Sequence, residues 1–221
     1  MNPHDVQYTA GSQPGSIRPD LEALAAAADR VTATDVRLTW VDGVKGRSAL
    51  RIEPTKAEFS IADEWVVALH GLEFTDGVIE FDALGQSEPP QSNFLGVAFH
   101  LVDALTHEAV YFRPFNFRAE DPDRRSHAVQ YVAHPQHRWW ALRENSPLAY
   151  EQPVAPAPDG DAWFHARIEV DGSTVSAYVD GAETPSLVVT RLGATGGVGV
   201  GLWVGPGRGG YFANLTVTPA R

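Results

Sequence analysis

From Val36 onward, apolar and polar residues alternate along the chain in short stretches that are separated by turn residues. The stretch VDGSTVSAYVDG shows the pattern best, because Val175, Ala177 and Val179 alternate with other residue types between two Asp-Gly pairs. A period of two indicates strands with one buried face, and Asp-Gly is a frequent hairpin turn. A chain built in this way is expected to form antiparallel sheets.

About a dozen stretches have the length and composition of strands. They are Val36–Val41, Ser48–Glu53, Ala57–Ile61, Trp65–Leu69, Gly77–Leu84, Phe94–Val102, Ala109–Arg113, His127–His134, Trp163–Val170, Thr174–Val179, Ser186–Thr190, Gly197–Val204 and Gly210–Thr218. One helix is predicted at residues 20–31, where Asp20 is a suitable N-cap for LEALAAAADRV. Many short strands without a βαβ rhythm predict an all-β fold, a two-sheet antiparallel jelly-roll sandwich. Residues 1–19 are expected to form a flexible or extended arm, and residues 20–221 a single domain.

Net charge and amino-acid composition limit the binding partners and the cellular location that are expected for the chain. The chain has 28 acidic and 17 basic residues, a net charge of −11, so phosphate backbones should repel it and no nucleic-acid partner is expected. No apolar run approaches the roughly 20 residues that span a bilayer, so no membrane association is expected either. The absence of cysteine permits a reducing compartment. Because no signal-peptide pattern is visible at the N-terminus, the expected location is the cytoplasm.

Aromatic, basic and amide side chains are densest between Glu108 and Glu151. A pyranose ring stacks its C–H face on an aromatic plane, and its hydroxyls need planar hydrogen-bonding groups. This stretch supplies both, so it is predicted to hold a carbohydrate ligand. The predicted binding residues are Tyr111, Arg113, Asn116, Arg118, Gln130, Tyr131, Trp139, Trp140 and Arg143.

The same stretch contains candidate catalytic residues. A histidine side chain is a common general base near neutral pH, so His127 is one candidate, and Glu144 and Glu151, which follow the tryptophan pair, are the others. Three functions therefore stay open. The leading one is a carbohydrate-recognising domain, the second is a glycoside-cleaving enzyme (a hydrolase or a 3-keto-glycoside eliminase), and the third is a non-catalytic structural or interaction module.

Metal binding is not indicated by residue spacing. The histidines at positions 100, 107, 134 and 137 show no recognised ligand spacing, so no metal site and no cofactor is predicted. Ca²⁺ remains a candidate ion at Asp121-Pro122-Asp123 and at Asp159-Gly160-Asp161, whose carboxylates could coordinate it, although a turn explains both sequences better.

Two parts of the sequence resemble known sandwich families. The run from Trp163 to Val217 contains a strand that ends in YVDG, a glycine-rich strand and a last strand YFANLTV. It resembles the closing strands of concanavalin A-like lectin/glucanase sandwiches and laminin-G-type modules. More weakly, Ser92–Ala98, Phe112-Arg113 and His127–Gln130 resemble the 3-keto-disaccharide hydrolase domain family. That resemblance implies a hydroxyl-binding role for Gln130, whereas the Glu of the family's YEVQ strand falls on Ala128.

Overall fold

The structure is a computed structural model that describes residues 8–10, 15–26, 35–56, 58–60, 62–88, 93–193 and 196–220. Its strands form two antiparallel sheets, as the alternation predicts. The first sheet has nine strands: β1 (Tyr8–Ala10), β2 (Ile17–Pro19), β3 (Val36–Val44), β4 (Arg47–Pro54), β6 (Gly77–Leu84), β11 (Trp163–Asp171), β12 (Thr174–Val179), β13 (Leu187–Thr190) and β15 (Gly210–Pro219). Their order is β1-β2-β15-β6-β11-β12-β13, with β4 paired to β15 and β3 to β4.

The second sheet has six strands in the order β10-β9-β8-β7-β14-β5. They are β5 (Trp65–Ala68), β7 (Leu95–Asp103), β8 (Thr106–Phe112), β9 (Val129–Ala133), β10 (Glu151–Gln152) and β14 (Gly199–Val204). Side chains from both sheets share one hydrophobic core, where the rings of Phe81 on β6 and Phe112 on β8 lie 6.3 Å apart, so the two layers pack face to face as a sandwich. The predicted fold class is therefore confirmed.

Several element predictions need correction. The predicted strand Ala57–Ile61 is wrong for residues 58–60, which lie outside any strand, and its two end residues lie outside the described residues. Three short strands, β1, β2 and β10, were not predicted, and the first two fall within the region expected to be an arm. They are only two or three residues long, which is too short for an alternation signal.

Three short α-helices accompany the sheets in the described part of the chain. The first, α1 (Leu21–Ala26), begins as predicted, since Asp20 Oδ1 accepts a hydrogen bond of 2.9 Å from the amide of Ala23. The predicted continuation from residue 27 lies outside the described residues. The other two helices, α2 (Pro122–Ser126) and α3 (Trp139–Asn145), were not predicted. No helix in the described part of the chain is long and apolar enough to span a membrane.

Burial differs between the two sheets. Along β11, buried and half-buried residues alternate, because the outer face of the nine-stranded sheet is open to water. Along β9, every residue is buried. The six-stranded sheet is therefore covered on both faces. Its inner face packs on the sandwich core, and its outer face packs under α3 through Val66, Ala98, Ala109, Tyr111, Val132, Leu142 and Trp203.

A buried ionic cluster lies on the core side of β8 and β9. The Glu108 carboxylate is fully buried and accepts hydrogen bonds from Arg191 at 2.7 Å and from the Tyr131 hydroxyl, and it contacts His100 Nδ1 at 2.8 Å. Tyr131 belongs to the sandwich core. The expectation that Tyr131 contacts a ligand is therefore not supported by its position, because the strand turns its side chain inward.

The Glu108 cluster predicts a pH dependence of stability. Burial alone would raise the pKa of this carboxyl from 4.5, but hydrogen bonds from His100, Arg191 and Tyr131 lower it to about 2. A depressed carboxyl pKa stabilises the fold above the unfolded pKa, and this contribution is lost as the pH falls through the folded pKa. We expect the free energy of unfolding to drop by about 3 kcal/mol between about pH 4.5 and pH 2 from this group.

Urea titrations of the wild type and of Glu108→Gln across that pH range isolate the contribution. The difference in unfolding free energy between the two proteins should shrink as the pH falls. A difference that stays constant would contradict it.

Candidate functional site

A pocket opens on the outer face of the six-stranded sheet, with a volume of about 200 Å³. Its floor is aromatic. Tyr111 on β8 and Trp203 on β14 stack with ring centroids 4.4 Å apart, and Phe94 meets the edge of Tyr111 at 6.2 Å. The two stacked residues flank Gly96 of β7 in the sheet register. A Cβ atom at Gly96 would lie 2.6 Å from the Cβ of Tyr111, so only glycine permits this arrangement.

The wall of the pocket comes from α3 and the residues before it. Trp139 and Trp140 meet edge to face at 5.5 Å, and Trp140 is 37% exposed. The guanidinium group of Arg143 lies over the Trp139 ring at 5.0 Å, and that of Arg138 lies over Trp140 at 5.4 Å. No helix was predicted at the tryptophan pair, whereas α3 presents both rings and Arg143 to one cavity.

Arg113 is the buried centre of the site. It donates hydrogen bonds to the Tyr111 hydroxyl at 2.8 Å, to Gln130 Oε1 and to the carbonyl of His127 at 2.7 Å. Gln130 is fully buried and also accepts from the Tyr111 hydroxyl at 2.8 Å. It therefore supports Arg113 and Tyr111 from beneath the pocket and does not line it.

Glu151 on β10 connects the lining residues. Its carboxylate accepts two hydrogen bonds from Arg143, at 2.9 and 2.7 Å, and lies 2.8 Å from His127 Nδ1 and 3.9 Å from Arg113. Burial opposes the charge on Arg143, but the hydrogen bonds from this guanidinium to Glu151 raise the pKa of Arg143 overall. Glu151 is 2% exposed, so it fixes the orientation of Arg143 and His127 from behind the lining.

The predicted site residues divide clearly in the structure. Among those lining the pocket are Tyr111, Arg113, Asn116, His127, Trp139, Trp140 and Arg143. Arg118 is exposed elsewhere and donates to the carbonyl of Ala157 at 3.0 Å. Glu144 lies on the exposed side of α3. Five members of the predicted set thus lie outside the lining or behind it: Arg118, Gln130, Tyr131, Glu144 and Glu151.

Nine other lining residues were not predicted: Ala62, Asp63, Glu64, Phe94, Arg124, His134, Arg138, Trp203 and Pro206. Six of them come from strands and loops outside the stretch from Glu108 to Glu151, whereas Arg124, His134 and Arg138 lie within it. Trp203 stands in the glycine-rich run GVGVGLWVGPG. A large ring among glycines indicates close packing of another group on that strand, and this signal could have identified Trp203 as a site residue.

The two candidate Ca²⁺ sequences form local turns and caps. Asp121 Oδ1 accepts a hydrogen bond from the amide of Asp123 and caps α2. Asp159 Oδ1 accepts from the amide of Asp161 at 2.9 Å, and Asp161 in turn accepts from the amide of Ser87 at 2.9 Å. These contacts use the carboxylates to hold the backbone.

Comparison with known proteins identifies the fold. No protein-family model and no curated protein matches the sequence. The carbohydrate-binding module CBM66 from Bacillus subtilis matches with a TM-score of 0.53 and 13% identity, over 83% of this chain and 96% of the module. A Bacillus subtilis protein of unknown function with a galectin-like fold matches with a TM-score of 0.52 and 13% identity, over 96% of this chain and 98% of that protein.

This chain has their sandwich fold. The resemblance to concanavalin A-like lectin/glucanase sandwiches is thereby confirmed at the level of the fold. At 13% identity the likeness concerns architecture, and function has to be argued from the site.

Proposed function

We propose that this protein is a carbohydrate-binding domain and that its pocket holds one saccharide unit. The observation that carries the proposal is the combination of indole rings and guanidinium groups around a single cavity. Trp139 and Trp140 offer apolar faces to the C–H groups of a sugar ring. Arg113, Asn116 and Arg143 offer planar donors or acceptors to its hydroxyls.

The size of the pocket supports a small occupant. Pockets for drug-sized ligands measure about 300–1,000 Å³, whereas this one measures about 200 Å³. A single sugar ring fits this space better than a long oligosaccharide. We therefore propose recognition of a monosaccharide or of the terminal unit of a glycan.

The charge of the lining supports an acidic sugar. Arg124 and Arg138 both line the pocket, and neither forms an ion pair with a carboxylate of the described residues. A guanidinium group binds a carboxylate through two parallel hydrogen bonds. A uronic acid should therefore bind more tightly than the neutral hexose of the same configuration.

The tryptophan wall gives a direct test by substitution. After a screen of neutral and uronic glycans, calorimetry should show that Trp140→Ala weakens binding of the selected saccharide by about tenfold, from the loss of about 1–1.5 kcal/mol of ring contact. Trp140 is partly exposed, so its removal should leave the fold intact. The matched control is Trp163→Ala on the nine-stranded sheet, which should bind like the wild type. Equal affinities for Trp140→Ala and the wild type would contradict the proposal.

A second candidate, glycoside cleavage, is favoured by one observation. His127 lines the pocket, and its Nδ1 lies 2.8 Å from the Glu151 carboxylate. A histidine oriented by a carboxylate is a common general base.

The enzyme hypothesis has its own test. In a reducing-sugar assay, His127→Gln should lower turnover by at least about 100-fold while saccharide affinity changes little. If the wild type binds saccharides without releasing reducing ends, the protein is a binding domain.

A further inference from the structure

Two stacked histidines lie at the edge of the pocket on the outer face of the sheet. His107 is on β8 and His134 follows β9, and their rings are parallel within 8°, with centroids 4.8 Å apart. The amide of His134 donates to the carbonyl of His107 at 2.7 Å, which fixes the pair across the strands. Both side chains are buried, His107 completely.

A carboxylate completes the cluster. Glu64, from the segment before β5, places Oε1 2.8 Å from His134 Nδ1. One ligand atom from each of Glu64, His107 and His134 lies within 4.8 Å of the other two. It is the one such group of histidine and acidic side chains among the residues that the structure describes.

The hydrogen bonding of this cluster is incomplete. Neither ring nitrogen of His107 has a hydrogen bond of ordinary geometry among the described residues, although the backbone of Asp103 lies close to the ring. His134 Nδ1 also lacks a hydrogen bond, although Glu64 is 2.8 Å away. Buried polar atoms are almost always paired. Nitrogen and oxygen atoms that lie close together without hydrogen-bonding geometry are expected where all of them coordinate one ion.

We propose that Glu64, His107 and His134 bind a divalent transition-metal ion of the Zn²⁺ class. Imidazole and carboxylate are preferred ligands of Zn²⁺, whereas Ca²⁺ and Mg²⁺ prefer sites made of oxygen alone. Ligand atoms about 2.0–2.1 Å from a tetrahedral ion lie about 3.3 Å from one another. In the cluster, Glu64 Oε1 lies 2.8 Å from His134 Nδ1, and the three ligand atoms lie within 4.8 Å of one another. Small side-chain rotations would therefore bring all three to coordination distance from one ion.

A neighbouring residue prepares the carboxylate for this role. Trp203 Nε1 donates to Glu64 Oε2 at 3.1 Å, which leaves Oε1 directed at the histidines. Such outer hydrogen bonds orient metal ligands in known sites. Trp203 also forms the pocket floor, so the ion and the pocket share a structural support.

Three protein ligands leave a tetrahedral ion with one open position. Glu64 and His134 both line the pocket, so this position should face a bound ligand. A saccharide hydroxyl or carboxylate could then coordinate the ion. This last step depends on the proposed function, whereas metal binding itself does not.

The test is calorimetric titration of chelator-treated full-length protein with Zn²⁺ and, separately, with Ca²⁺. We expect one equivalent of Zn²⁺ to bind and Ca²⁺ to give no saturable heat. Glu64→Gln, His107→Gln and His134→Gln should each weaken Zn²⁺ binding by at least about 100-fold, since loss of even an outer partner weakens metal sites 10–100-fold. The matched controls are Glu144→Gln, on the exposed side of α3, and His137→Gln, close to His134 in the chain, which should bind Zn²⁺ like the wild type.

The outcomes are decisive in both directions. Absence of Zn²⁺ binding by the wild type would overturn the proposal, and so would unchanged affinity in Glu64→Gln and His134→Gln. Because His107 is fully buried, the variants at Glu64 and His134 keep the test valid if His107→Gln does not fold. Zn²⁺ binding without any saccharide binding would support the metal site and refute the carbohydrate function, and the reverse result would refute the metal site alone.

Discussion

We expect Glu108→Gln to lower the free energy of unfolding by about 3–5 kcal/mol, the usual effect of removing one partner from a buried ion pair. Arg191 contacts the Glu108 carboxylate through both Nε and a terminal nitrogen, and the substitution removes this charged partner. It also weakens the hydrogen bond from Tyr131, whose hydroxyl accepts from the amide of Leu192 at 2.9 Å. The whole junction between β8, β9 and the segment after β13 depends on this one carboxylate.

Urea unfolding at neutral pH measures this effect. The control is Glu144→Gln, on the exposed side of α3, which should change the unfolding free energy by less than about 0.5 kcal/mol. A variant at Glu108 as stable as the control would show that the buried cluster contributes little. Saccharide binding by any folded Glu108→Gln protein should be retained, because the cluster faces the core and not the pocket.

Glu151→Gln is expected to have the second largest effect, because it acts on stability and ligand binding together. Arg113 is buried and Arg143 is partly buried, and the Glu151 carboxylate faces both. Without it, the charge of Arg113 has no carboxylate within ion-pair distance among the described residues. We expect a loss of about 3 kcal/mol of unfolding free energy. We also expect about a tenfold loss of saccharide affinity, since Arg143 and His127 lose the group that orients them.

Thermal unfolding and calorimetry on the same preparation separate the two effects. The affinity is measured well below the melting temperature of the variant, so that only folded protein contributes. Glu144→Gln again serves as the control and should bind saccharides like the wild type. If Glu151→Gln binds normally and melts normally, the assignment of Glu151 as the support of the pocket is wrong.

The fold was largely predictable from local sequence. The boundaries of β6 and β12 were predicted to the residue, because both strands show alternation and Asp-Gly turns mark the start of β6 and both ends of β12. The helices α2 and α3 were missed, since each contains only five to seven residues and shows little helical periodicity. An Asp N-cap followed by Pro at the first position of α2 was a usable signal.

The site was predictable only in part, because it is assembled across strands. The local density of aromatic, basic and amide residues identified Arg113 and the tryptophans and arginine of the α3 wall, but Phe94, Glu64 and Trp203 reach the pocket from other parts of the sequence. This density also contains no information on the direction of side chains. Gln130 and Tyr131 are neighbours on one strand and must point to opposite faces, so both could not contact one ligand.

Histidine spacing was equally uninformative about the proposed metal site. His107 and His134 are far apart in sequence, and they meet only because β8 and β9 pair in antiparallel register, with Glu108 opposite Ala133. Neither the register nor the position of Glu64 could be read from the chain alone.

The indole N–H signals of the six tryptophans test the central claim most directly, by two-dimensional NMR during titration with a selected saccharide. If the pocket is the binding site, the signals of Trp139, Trp140 and Trp203 shift, while those of Trp40 and Trp163, on the nine-stranded sheet, stay in place. A saccharide that shifts Trp40 or Trp163 and leaves the three pocket signals unchanged would contradict the account.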